Sequence, residues 1–233
     1  MDIQAKTENK LPVILLIDTS STLCSVGLAY GENLMDCMDC IESNNSNTHA
    51  EMLHVYISDL LKNNNLKPQN INAVAVNKGP GSYTGLRIGV SAAKGIAFAL
   101  NCPIIGISSL QALCYPIALK ENQFYLPMID ARRMEVYTCL LNHQFNFILP
   151  EEAKIITETT YLDYQNYSSI ICLGDGAQKC KTLLASNLNI NFLNDINSSV
   201  KNFHKVAYLK FIKNQFEEIT YFEPNYLKDY YFK

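Results

Sequence analysis

A chain of 233 residues and 26.3 kDa leaves room, at roughly 150 residues per domain, for one large domain or two small lobes and excludes three or more. Area scaling lets about 70% of its surface be buried without a disulfide staple, and 48% hydrophobic against only 18% charged residues excludes a disordered chain and points to apolar surface covered by a partner. A formal charge of −3 removes the basic footprint of a protein that grips phosphate backbones unaided.

The stretch from Met1 to Pro12 is polar and carries no charged-then-greasy export signal, and nowhere do 18 apolar residues follow one another, so the chain reads as cytoplasmic and without a membrane span. Val13 to Ser20, Cys24 to Tyr30 and Leu34 to Glu42 read as three strands. Thr48 with Glu51 three places on has the capping-box arrangement for a helix running to about Asn64. Ile71 to Asn77 is a near-continuous apolar run, as expected of a strand covered on both faces. The loop KGPGSYTG, a helix to Leu100, a strand from Pro103 to Ser108 and a helix from Ser109 to Leu119 follow.

From Phe124 a related order begins again. Tyr125 to Asp130, Val136 to Leu141 and a longer region around Phe145 to Ile156 read as strands, followed by a short helix near Tyr161 to Tyr167. Strand Ile170 to Gly174, helix Ala177 to Ala185, a short strand around Asn191 to Leu193 and a helix from Val200 to Phe216 complete the set. Two βββαβαβα-like halves suggest a structural duplication. The boundary is expected near residue 120, with an amino-terminal lobe over 1–120, a smaller carboxy-terminal lobe over 121–233, and a tail after Thr220 returning over the surface.

The eight cysteines sit singly in apolar segments, as small buried hydrophobes in a reducing compartment do, and only Cys37 and Cys40 form a CxxC, without a second pair to complete a zinc site. His49 and His54 are five apart, which on a helix turns them about 140° from each other, so they cannot share a metal as an i, i+4 pair could. No metal is assigned. No serine lies in GxSxG, which leaves no obvious nucleophile string.

Lys78-Gly-Pro-Gly-Ser-Tyr-Thr-Gly85 joins a buried strand to a helix. Its amides suit an anion or a closely approaching backbone, or the glycines serve a tight turn alone; it lacks the lysine of a P-loop. Between Tyr83 and Leu100 the only charges are Arg87 and Lys94, seven apart and on one face. A helix greasy almost all round must be covered almost all round. Gly85, Gly89, Ala93 and Ala97 recur every four residues, and on the preceding helix Met52, Tyr56, Leu60, Leu53, Ile57 and Leu61 fan over about 180°. Together they predict a helix-on-helix surface shared with another subunit, through a small-residue furrow in which a foreign backbone lies close. The alternative is an internal pair of core helices.

Asp18, Asp130 and Asp175 close apolar strands or turns. Carboxylates there could hold magnesium in a small-molecule kinase or hydrolase built on Asp18 and Asp130, or could be turn and capping residues. Only Arg87, Arg132 and Arg133 are arginines, against sixteen lysines, which suggests bidentate or stacked contacts that lysine cannot make.

Ile14 to Gly31 (ILLIDTSSTLCSVGLAYG), Ala75 to Leu113 with its GPGSYTGLR string, Met128 to Leu141 (MIDARRMEVYTCLL) and the tail Glu223 to Asp229 (EPNYLKD) resemble the TsaB (YeaZ) family, the bacterial partner proteins in making threonylcarbamoyladenosine in tRNA. The likeness is clearest in the first 141 residues. It implies a duplicated, two-lobed actin-like (ASKHA, ribonuclease-H-like) α/β fold. It also implies a non-catalytic scaffold that pairs with the TsaD transferase subunit, through Met52, Leu53, Tyr56, Ile57 and Leu60 on one helix and Gly85, Arg87, Gly89, Ala93 and Ala97 on the next. The P-loop ATPase TsaE would be recruited to the pair, the chain alone would form a homodimer, and tRNA would be met only through the complex. No cofactor is required on this reading, with at most weak ATP or ADP binding in a vestigial cleft formed by Asp18, Thr19, Ser20, Gly79, Gly81, Ser82, Thr84, Asp130 and Arg132. The metal-binding HxxxH of TsaD is replaced here by His49-Ala-Glu-Met-Leu-His54, and Lys78 and Lys228 stand where many members carry arginine.

Overall fold

A computed structural model of the chain describes residues 11–41, 48–184, 189–194 and 196–228. The side chains of Cys40, Ile41 and Thr48 lie outside that description, and with them the expected capping box and half of the CxxC.

Strand β1 (Val13–Asp18) is buried along its whole length, with Val13, Leu15 and Ile17 in one core and Ile14 and Leu16 in another. Burial on both faces is why it reads as an unbroken apolar run instead of an alternation. It pairs antiparallel with β2 (Leu23–Tyr30), which pairs antiparallel with β3 (Asn33–Ile41). On its other side it runs parallel to β4 (Ile71–Gly79), itself parallel to β5 (Ile104–Ser108). The sheet order is therefore β3-β2-β1-β4-β5. Helices α1 (Thr48–Asn63) and α2 (Tyr83–Leu100) pack on one face, through Leu53, Ile57, Leu60, Val90, Ala93 and Ala97.

The second half repeats the plan. Strands β6 (Phe124–Asp130), β7 (Glu135–Asn142) and β8 (Phe147–Ile155) form the antiparallel part. Strand β9 (Ile170–Leu173) joins β6 in parallel, and β10 (Ile190–Phe192) joins β9 after helix α4 (Asp175–Leu184). The order β10-β9-β6-β7-β8 matches the first sheet strand for strand, and these duplicated halves are the actin-like, ASKHA-type fold. Helix α3 (Ser109–Cys114) lies between the halves, its Leu110, Leu113 and Cys114 packed with Tyr125, Cys139 and Leu141.

Two helices are shorter than the sequence predicts. Helix α3 stops at Cys114, short of Leu119: Tyr115 keeps helical dihedrals, but Pro116 has no N–H to continue the ladder and its ring crowds the carbonyl one turn back. The helix expected over Val200 to Phe216 is a 3-10 turn at Val200–Asn202 followed by α5 (His204–Ile212), with Asn214 left-handed at φ 52° beyond it. Helix α5 does not complete the second half. Ala207, with Phe203 just before it, packs on Ile14, Leu16, Ile105 and Ile107 of the first sheet. The segment near Tyr161 to Tyr167 is likewise a 3-10 turn, Thr160–Tyr164.

Candidate functional site

At the end of β1 the Asp18 carboxylate is 0% exposed. Its Oδ1 accepts hydrogen bonds from Ser20 N at 3.0 Å and Ser20 Oγ at 2.7 Å, and its Oδ2 from Asn77 Nδ2 at 3.1 Å and Ser198 Oγ at 2.5 Å. Asn77 in turn accepts from Gly79 N at 3.1 Å and Ser109 Oγ at 2.5 Å. Every oxygen of this buried carboxylate is thus occupied by donors of the chain itself, the condition under which a buried charge is tolerated. Asn77 and Ser198 escaped the sequence reading. Asn77 had left a signal, a polar residue closing a run buried on both faces, whereas nothing near Ser198 marks it.

The GPGSYTG loop closes over this network. Ser82 N donates to Ser20 O at 2.8 Å, and Ser82 Oγ caps α2 by accepting from Gly85 N at 3.3 Å. Gly79 has φ +106°, a backbone region open to glycine, and a Cβ there would meet Leu86 Cδ1 at 2.8 Å. A Cβ at Gly81 would lie 2.3 Å from Ser20 O, so this glycine serves the close approach of the loop backbone to the turn after β1. Thr84 is exposed at the start of α2.

Gly85, Gly89, Ala93 and Ala97 are all buried, the two glycines against Thr19 at the end of β1 and the two alanines in the core between α2 and the first sheet. A Cβ at Gly85 would lie 2.0 Å from Thr19 O, and one at Gly89 2.3 Å from Thr19 Oγ1; that hydroxyl donates to Gly85 O at 2.7 Å. The expectation that a foreign backbone occupies this furrow is corrected: the molecule's own β1 and Thr19 fill it. Leu53, Ile57 and Leu60 are also core residues, and only Met52 and Tyr56 of the expected α1 set are half-buried. Arg87 and Lys94 do share a face, and it holds the tail. Arg87 stacks 4.2 Å from the Tyr83 ring centroid and donates to Tyr226 Oη at 3.3 Å, while Lys94 Nζ donates to Phe222 O at 2.9 Å.

The outward side of α2 carries a second stripe of small residues. Ser91, Gly95 and Ala99 are exposed and four apart, a Cβ at Gly95 would meet nothing within 4 Å, and Phe98 beside them is 79% exposed. On α1, Val55 is 46% exposed.

Asp130 lies on the other sheet, in the hairpin between β6 and β7. It pairs with Lys179, its Oδ1 accepts from Arg132 N at 2.6 Å, and its own N donates to Asp175 Oδ1 at 2.9 Å. Arg132 and Arg133 are exposed and left-handed, φ 70° and 50°. Asp18 and Asp130 share no hydrogen-bond partner among the described residues. Among the described residues, no group of three His, Cys, Asp or Glu side chains is placed to hold a metal ion, and no helix is long and apolar enough to cross a membrane. Partial burial raises the Asp130 pKa, but the Lys179 ammonium and the Arg132 N–H outweigh it and hold the carboxyl below its ordinary value. A depressed carboxyl contributes stability above its unfolded pKa of about 3.9 that is lost as pH falls through the folded value. Carboxyl NMR should find Asp130 titrating lower than a free aspartate, and Lys179→Met should return it to the ordinary range.

The family model described as "TsaD: tRNA N6-adenosine threonylcarbamoyltransferase" matches residues 43–232. The protein named "tRNA threonylcarbamoyladenosine biosynthesis protein TsaB" of Haemophilus influenzae is 36% identical over 126 residues, covering 53% of this chain and 51% of that protein. The protein of the same name from Bacillus subtilis is 29% identical, covering 73% and 74%. The alignment thus spans about half of the Haemophilus relative and about three quarters of the Bacillus one. Two crystal structures from Pseudomonas aeruginosa share the fold at 22% identity: "YeaZ", with TM-score 0.76 over 93% of this chain and 100% of that one, and a protein described as similar to peptidase YeaZ, with TM-score 0.78 over 94% and 100%.

Proposed function

Because this chain belongs to the TsaB (YeaZ) family, we propose that it serves in tRNA threonylcarbamoyladenosine formation as a cytoplasmic, non-catalytic subunit that pairs with the TsaD transferase, activates it and helps recruit the TsaE ATPase. The observation that carries this reading is the closed Asp18 network. A carboxylate whose four acceptor directions are taken by Ser20, Asn77 and Ser198 would have to break a buried, satisfied cluster before it could hold magnesium or activate water. The chain's own reactivity is tied up in its structure, and the transferase chemistry falls to the partner.

The docking surface is the outward side of α1 and α2. The stripe Ser91-Gly95-Ala99 with Phe98 beside it, together with the exposed Val55 on α1, offers close helix approach and apolar anchors. Since the chain itself matches the TsaD family model, a TsaD subunit of like fold would present the equivalent pair of helices. Two such faces can meet in the self-complementary manner of a two-fold interface, which also accounts for a homodimer when the chain is alone. Contact with tRNA would pass through TsaD, consistent with the acidic balance of this chain.

Combining the chain with TsaD, TsaE, threonylcarbamoyl-adenylate and tRNA tests the proposal, and modification that proceeds unchanged without the chain would remove it. At the surface, Gly95→Arg is expected to weaken co-elution with TsaD on a sizing column by roughly tenfold or more, since bulk in a close helix contact costs about 1–3 kcal/mol. The free monomer should melt no lower than wild type, because the site is open and arginine is the better helix former.

A further inference from the structure

A cleft of about 620 Å³ opens where the end of β4, the β5–α3 junction, β8 and the segment after α5 converge. It shares no lining residue with the Asp18 network or the Asp130 hairpin. Its walls are held by specific bonds. Lys78 Nζ pairs with Glu217 Oε1 at 2.9 Å, Asn225 Nδ2 donates to Glu151 Oε2 at 2.6 Å, and Ser108 Oγ donates to the other oxygen of Glu151. Gly106 leaves room for this: a Cβ on it would stand 2.3 Å from Glu217 Oε1.

One lining group lacks its counterion. Lys210 is half-buried, its ammonium donates to Gly106 O at 2.7 Å, and no carboxylate among the described residues is within ion-pair distance of it. An ammonium has three donors, so two remain for the cleft. Burial lowers its pKa, with the nearby Lys78 adding to the drop and Glu217 offsetting part of it, as expected of a cation held beside another cation without an anion of its own. Two exposed aromatic side chains also line the cleft, Phe147 at 46% and Tyr221 at 75% exposure. Glu151, Glu217 and Glu223 on the walls oppose a polyanion, so the complement is a single negative charge on an apolar body.

We propose that this cleft binds a small organic carboxylate, with its anionic group on Lys210 and its apolar body against Phe147 and Tyr221. The proposal rests on the cleft alone and is independent of pairing with TsaD. Titrating benzoate into the whole chain at neutral pH, followed by amide NMR, tests it. Saturable shifts confined to residues around 106–111 and 147–151 are expected. Lys210→Met should weaken binding by about tenfold or more, the range for losing a charged hydrogen bond. Lys201→Met, whose lysine pairs with Asp39 away from the cleft, should leave it unchanged. Neutral benzamide should bind at least tenfold more weakly. If Lys210→Met fails to fold, Lys210→Gln carries the same expectation, and Tyr221→Ala, at an exposed site, should weaken benzoate several-fold. Absence of saturable binding, equal affinity for benzamide, or full affinity in the Lys210 variants would overturn the site. Preference for inorganic phosphate or ATP over benzoate would overturn the carboxylate class.

Discussion

Gly85→Ala should lower the unfolding free energy by about 3 kcal/mol or more, the upper end of what overpacking costs. The added methyl would sit 2.0 Å from the carbonyl oxygen of Thr19. That atom belongs to backbone at the end of β1, so it cannot swing aside as a flexible side chain would. Relief would also lengthen the Thr19 Oγ1–Gly85 O bond of 2.7 Å, which is worth roughly another 1 kcal/mol. The same substitution three turns along the same helix should act in the opposite sense. Gly95→Ala meets no neighbour and gains up to about 1 kcal/mol of helix propensity. Denaturant unfolding of the pair separates the inward from the outward side of α2. Equal effects at the two positions would mean that Gly85 is not packed as described.

Asp18→Asn is expected to cost about 1–3 kcal/mol, the range for leaving a buried hydrogen-bonding group unsatisfied. The four groups around the carboxylate all donate. An amide keeps the shape but turns one acceptor into a donor, which then confronts the Ser20 N–H or the Asn77 Nδ2–H and forces a serine hydroxyl to turn and accept where it had donated. Ser198→Ala removes a single donor and should cost roughly 1–2 kcal/mol. Under the scaffold reading, folded Asp18→Asn supports tRNA modification by TsaD in proportion to the folded fraction. A variant as stable as wild type that no longer supports modification would point instead to a kinase- or hydrolase-like role for Asp18.

The strands were legible because their chemistry is local. Val13 to Asp18 and Ile71 to Asn77 are apolar on both faces wherever they are placed, so their burial follows from composition. The repeat of the strand plan was visible for the same reason. The ends of α3 and α5 were read too long because apolar periodicity continues past Pro116 and through Phe203, and the interruption there is a backbone matter. The Asp18 site was half legible: DTSS and the glycine loop stand out in the chain, but the Ser198 hydroxyl arrives from 180 residues away.

From the sequence by itself came the family and the duplicated order of strands. Which stripe of α2 faces inward was settled only in three dimensions. Gly85-Gly89-Ala93-Ala97 and Ser91-Gly95-Ala99 are both small-residue repeats of four, about 140° apart around the helix, and the two charges of the helix, Arg87 and Lys94, belong to neither repeat. The approach of Thr19 to Gly85 and Gly89 breaks the tie, because a backbone that has come that close leaves no room for a second one.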